Sequence, residues 1–295
     1  MAMTFPSPSR VWNTGLNLWW PVGLGLALLF IPTYIRLNGG SWNEETYAHG
    51  PFVLLVVIWM IVRKWPSLIA TEVKSAPIVG GATLFFGLLL YVVGRSQGLI
   101  LFEVGAQIPI LAGVLLLLLG WRALRTLWFP LFFLLFFVPL PGFIIDAATS
   151  PLKMQVSQVV ESLLYMSGYP IARVGVVLHV GPYQLLVADA CSGLNSIYSL
   201  SAMGLLYLYL MQHKSWTRNA LLIASILPMA FMANVLRVII LVLVTYYMGD
   251  EAGQGFIHDF AGISLFIFGL LLLFALDNVL GLYFDRRQGK GEKHA

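Results

Sequence analysis

The chain has 295 residues, 59% of them hydrophobic and only 10% charged, with a formal net charge of +4 at neutral pH. That balance excludes a soluble globular protein and describes an integral membrane protein. The single cysteine excludes an intramolecular disulfide framework, and no Cys-rich metal motif exists. No metal or organic cofactor is implied, and the basic residues read as topology signals rather than as a nucleic-acid surface.

A membrane-spanning helix needs about 20 apolar residues. That ruler finds eight candidates, at about 17–35, 50–64, 76–94, 98–119, 125–142, 193–211, 217–247 and 258–284. The second is short. The seventh is long enough to tilt, bend or break, and Asn234–Arg237 is where irregularity is expected. The whole chain, 1–295, reads as one polytopic membrane domain.

Charge placement tests the count. With the N-terminus inside, twelve of the 17 basic residues face the cytoplasm. Only Arg36, Arg95, Lys153 and Arg173 fall outside, and Arg237 lies within a span. This is a strong positive-inside asymmetry, and removing one span would scramble it. The expected localisation is the inner membrane, multi-pass, with both termini cytoplasmic.

The longest outer segment runs from about 143 to 190. In its first half Ile144, Leu152, Val156, Val159, Leu163 and Met166 make an apolar face, as in an interfacial helix. Its second half holds two β-rich runs, Val174–Val180 and Tyr183–Val187, around Gly181-Pro182. A small β-hairpin is expected there, delivering the chain to Cys191. The fold class is therefore all-α, with about eight spans, an interfacial helix and this hairpin.

Three polar residues stand at unusual places. Cys191, in Ala190-Cys191-Ser192-Gly193-Leu194-Asn195-Ser196, sits where a polar segment meets an apolar run. A lone membrane cysteine is ordinarily a small buried apolar residue. Ser192, Gly193 and Asn195 instead suit a tight turn with exposed donors. A thiol at a helix N-terminus has its thiolate favoured by the dipole. Arg237 interrupts an apolar run, at a cost of at least about 2.5–3.5 kcal/mol unless it finds a partner or an aqueous cavity. It is either a structural counter-ion or, through its fixed fork of donors, an oxyanion stabiliser. Asn234 lies one turn earlier on the same face. His258 opens the last apolar run and becomes a base or acid beside a thiol. Asp259 and Asp189 orient it or cap helices. His49, in Tyr47-Ala48-His49-Gly50-Pro51, is a further candidate, although Pro51 also marks a helix start. His179 reads as a strand residue. Cys191 and His258 begin neighbouring outer helix ends, so nucleophile, proton carrier and oxyanion donor can meet in one half of the bilayer.

At these residues the chain resembles the exosortase and archaeosortase family. The resemblance rests on Asp189-Ala190-Cys191-Ser192-Gly193-Leu194-Asn195-Ser196, Asn234-Val235-Leu236-Arg237 and His258-Asp259-Phe260-Ala261-Gly262, in that order. Trp42–Pro51 resembles the family's first outer-loop motif, and Pro139-Leu140-Pro141 its proline motif. Asp189 stands where the family often carries glutamate. The resemblance implies a thiol protease or transpeptidase with Cys191, Arg237 and His258 in the catalytic roles. Its substrates and partners would be exported proteins bearing a C-terminal sorting signal: a Pro-Glu-Pro-type motif, a transmembrane helix and a basic tail. It is often found in bacteria that make exopolysaccharide. The alternatives are a transporter whose Arg237 binds an anionic solute, or a structural subunit of a polysaccharide export complex with an inert Cys191. Neither inverted halves nor paired broken helices favour the transporter.

Overall fold

The computed structural model describes residues 8–40, 42, 47, 49–69, 74–186, 194–212, 215–254 and 267–282. The chain is an all-α multi-pass membrane protein with one small sheet. Among the described residues five helices are long and apolar enough to cross a membrane, and Trp128–Phe137, Leu200–Met211 and Ile267–Leu282 are shorter apolar helices. Two compact units divide at Pro139 and Leu140.

The first unit opens with α1 (Pro8–Asn38), α2 (Gly50–Ile69) and α3 (Pro77–Gln97). Proline at the first position of α3 costs nothing, because its missing N–H would be unbonded there anyway. α4 (Ile100–Gly105) and α5 (Gln107–Leu118) then run back along α3, joined at Ala106. Glycines on α3 let the backbones approach. A methyl group at Gly80 would lie 2.6 Å from the Leu117 nitrogen, and one at Gly87 would lie 2.8 Å from the Ile110 nitrogen. Gly113 returns the contact, 2.6 Å from the Leu84 nitrogen. Lipid tails offer helices little hydrophobic drive to associate, so close packing of small residues supplies the attraction.

The fifth expected span is broken. It consists of α6 (Trp121–Thr126), α7 (Trp128–Phe133) and a 3-10 turn, Leu134–Phe137. Pro139 and Pro141 cannot donate to a helix, and they stop it there. The continuous span expected at 125–142 is thus a short, segmented one.

In the second unit α8 (Gly142–Met166) leads into an antiparallel sheet of β1 (Ile171–Val174), β2 (Val177–Val180) and β3 (Tyr183–Leu186), in that order. The sheet therefore has one strand more than the expected hairpin. Each connection is two residues long and begins with a glycine at positive φ, Gly175 at 64° and Gly181 at 54°. Those angles suit the tight turns that match strand twist. The register pairs Ile171 with Val180 and Val180 with Tyr183. His179 occupies β2, as its surroundings predicted.

Among the described residues four helical elements follow the sheet: α9 (Leu194–Met211), α10 (Trp216–Met248), the short α11 (Asp250–Gln254) and α12 (Ile267–Leu282). The Ser215 side chain caps α10 by accepting from the Arg218 backbone N–H at 3.4 Å. α10 is one unbroken helix with Pro228 inside, so the irregularity expected at Asn234–Arg237 does not occur. In lipid a helix that satisfies its own backbone is favoured over any break, whatever its side chains carry.

One core joins sheet, α8 and α10. Val156, Val160 and Leu164 of α8 meet Ile171, Leu178, Val180 and Leu185 of the sheet and Val235, Val238, Leu241 and Val242 of α10. Of the expected apolar face of α8, Val156 and Val159 pack into this core, while Ile144, Leu163 and Met166 are left exposed by the protein. A second cluster packs Tyr207 of α9, Leu222 and Ile226 of α10 and Leu273 of α12.

Candidate functional site

Arg237 is 4% exposed and Asn234 3% exposed, on the inward face of α10. Ala230, Ala233, Leu241 and Thr245 share that face, while Met232, Leu236 and Ile240 point outward and are exposed. The guanidinium therefore avoids lipid. Its neighbours Val235 and Val238 are packed by α8 and the sheet, so this charge lies within protein. A guanidinium has five N–H donors in a fixed planar fork and loses its charge under no ordinary condition. Held in a low-dielectric pocket, such a group stabilises an oxyanion far better than it would in water.

α9 begins at Leu194, three residues after Cys191, and β3 ends five residues before it. Cys191 and His258 lie outside the described residues, as do Asp189, Ser192 and Asp259. Asn195 occupies the first turn of α9. Within the described residues no group of His, Cys, Asp and Glu could hold a metal ion.

In the first unit His49 precedes α2, and its carbonyl accepts the Val53 N–H at 3.1 Å. The helix-starting role read from Pro51 is thus real. The His49 ring Nε2 lies 3.2 Å from the Phe136 carbonyl oxygen. A carbonyl only accepts, so Nε2 is the donor in this contact. Trp42 closes the same motif. Its ring stacks on Tyr34 at 6.3 Å and meets Phe137 edge-on at 6.2 Å. A methyl group at Gly50 would lie 2.6 Å from the Trp42 Nε1, so the His-Gly-Pro sequence has room for nothing larger than glycine.

Two buried carboxylates escaped the sequence reading. Glu103, in α4, has no exposed surface. It accepts from Thr33 Oγ1 at 2.7 Å and Arg95 Nη1 at 2.9 Å, and Arg36 Nη2 contacts its other oxygen. Thr33 and Tyr91 hydroxyls meet at 3.2 Å, and Tyr34 donates to Gln107 at 2.8 Å. Asp277, in α12, accepts from Tyr207 Oη at 2.5 Å and Arg218 Nε at 2.7 Å. The signal for both was a lone acid inside an apolar run, the same signal that exposed Arg237.

Acids also accompany the exceptions to the charge asymmetry. Arg36 and Arg95 share Glu103, and Arg173 pairs with Glu161 at 2.9 Å. Three of the four basic residues that break the asymmetry are therefore ion-paired.

No curated protein and no solved structure matches the chain. A family model described as transmembrane exosortase matches residues 41–275. That stretch contains Cys191, Arg237 and His258, the Trp42–Pro51 segment and the Pro139–Pro141 segment. With the family model covering most of its length, the chain belongs to the transmembrane exosortase family.

Proposed function

We propose that this protein is a membrane-embedded cysteine protease or transpeptidase that acts on the C-terminal sorting signal of exported proteins. The observation that carries the reading is Arg237: a guanidinium buried on the inward face of an unbroken spanning helix, in protein rather than lipid. A charge placed there at such cost reads as functional.

In the proposed reaction the Cys191 thiolate attacks the scissile carbonyl carbon, and its electron pair moves to oxygen. Arg237 holds that oxyanion, with Asn234 beside it. The intermediate collapses as protonated His258 gives its proton to the leaving amine, producing a thioester. His258 then takes a proton from the acceptor, water or another nucleophile, which attacks the thioester and restores the thiol. Dividing one hard step into two easier ones is the advantage of covalent catalysis. Asp189 and Asp259 orient the histidine or cap helices, Ser192 and Asn195 shape the turn at the thiol, and His49 is a candidate supporting or substrate-binding residue.

The site faces the periplasm in this reading, with the protein in the inner membrane and both termini cytoplasmic. The basic asymmetry supports that orientation, the more so because three of its four exceptions are ion-paired. The substrate carries a Pro-Glu-Pro-type motif, a transmembrane helix and a basic tail. The test is co-expression with a tagged substrate of that design. Wild type is expected to shorten the substrate and Cys191→Ala to leave it whole. Equal processing by both would refute the reading.

A further inference from the structure

The inference rests on the proposed cysteine chemistry and concerns a site far from it. Tyr207 lies near the end of α9, Arg218 in the first turn of α10, and Asp277 in the second half of α12. One Asp277 oxygen accepts from the Tyr207 hydroxyl at 2.5 Å. The other accepts from Arg218 Nε at 2.7 Å and lies 2.6 Å from Nη2. Nη2 also donates to the Asp277 main-chain carbonyl at 2.9 Å. The guanidinium is therefore held to both the side chain and the backbone of α12. A methyl group at Gly281, one turn on, would lie 3.1 Å from Nη2.

The three elements that meet here are those that carry or follow the three reacting groups in the chain. Cys191 stands three residues before α9, Arg237 is on α10, and His258 precedes α12. The helices are also closely fitted between the two ends. A methyl group at Gly204 of α9 would lie 2.8 Å from Ile226 of α10, and one at Gly269 of α12 would lie 3.0 Å from Leu200 of α9. Tyr207 meets Phe274 edge-on at 5.0 Å. Rods packed in this way transmit a shift at one end to the other. From Tyr207 back to Leu194 is about 20 Å of helix, and from Arg218 to Arg237 about 28 Å.

We propose that Tyr207, Arg218 and Asp277 form a positioning clasp that sets the relative heights of α9, α10 and α12, and so brings thiol, guanidinium and imidazole into register. None of the three touches substrate. A two-point grip by a guanidinium on one residue's carboxylate and carbonyl fixes translation along the helix axis, which apolar packing alone leaves free to slip. Asp277 also lies beyond residues 41–275, the stretch matched by the family model.

The single cysteine supplies the test, because Cys191 is the one thiol that iodoacetamide can alkylate. Full-length protein in phospholipid vesicles is alkylated at pH 6.5, and cleavage of the sorting-signal substrate is followed in parallel. An unassisted thiol has a pKa of about 8.5 and is about 1% ionised at that pH. Asp277→Asn is expected to slow alkylation roughly tenfold relative to wild type. It should also lower kcat by about a hundredfold with KM within about twofold, since positioning and not binding is lost. Arg218→Leu/Asp277→Leu replaces the ion pair with apolar bulk and keeps the fold, yet should remain slow in both assays. Tyr207→Phe keeps ring and ion pair and decides the matter if neither of the others accumulates; it should show a smaller loss in both assays. Wild-type alkylation and kcat in any accumulating variant of the three would overturn the clasp. A wild-type thiol alkylated as slowly as a free cysteine, with Cys191→Ala still cleaving, would instead overturn the cysteine chemistry and the clasp with it.

Discussion

Each unit buries a carboxylate among its helices, and the two solve the problem differently. Glu103 is shared by two arginines whose side chains are 40% and 42% exposed. Asp277 takes an arginine that is 16% exposed, and a tyrosine. The first arrangement spreads its charge over two half-exposed cations; the second sets it against one that is mostly buried. Removing a partner of a buried pair is costly because it strands a charge. Half-exposed partners therefore make the first unit tolerant, and a mostly buried one makes the second exacting. The exacting unit is the one that carries the proposed chemistry.

The sharpest test of that contrast is Arg218→Ala. It leaves Asp277 buried without its cation, and a loss of about 3–5 kcal/mol is expected, read as a large fall in thermal midpoint in detergent or as failure to accumulate. Next comes Arg237→Lys. Lysine keeps the charge but not the planar fork, so the variant should insert normally and process substrate at least about a hundredfold more slowly. Near-normal turnover would make Arg237 a counter-ion of the same kind as Arg218. Glu103→Gln should cost less, about 1–3 kcal/mol, because Arg36 and Arg95 are already half in water. Smallest is Arg36→Ala. Arg95 and Thr33 still hold Glu103, so a loss of about 1 kcal/mol or less is expected. A larger effect from Arg36→Ala than from Arg218→Ala would invert the comparison.

How far the sequence could be read follows from the range of each interaction. α9 and α10 were legible to within a residue or two, since an apolar run bounded by polar residues is a local signal. Arg237 was legible for the same reason. The sheet was half legible: Gly181-Pro182 announced the second turn, but β1 is four residues long and contains Arg173, so no alternation marked it. Glu103 and Asp277 escaped the sequence reading, and although each is a lone acid in an apolar run, no local signal points to its partners. Arg36 stands 67 residues from Glu103, and Arg218 stands 59 from Asp277. No spacing rule reaches that far. Nor could a motif show that Trp42 closes over Gly50, because that contact depends on where Tyr34 and Phe137 lie in space.

The length of α10 has a physical outcome of its own. Its 33 residues make a rod of roughly 50 Å, against a hydrocarbon core of about 30 Å. Trp216 near one end and Tyr247 near the other are exposed aromatic residues. They are about 46 Å apart along the helix, close to the full bilayer with its headgroups. A helix longer than the hydrocarbon core meets a change of bilayer thickness by tilting, by straining the lipid around it or by moving one end. The sheet is bolted to one end and the Asp277 grip to the other. Membrane thickness thereby becomes a variable of the reaction, and acyl-chain length should tune turnover with an optimum near the span of this one helix.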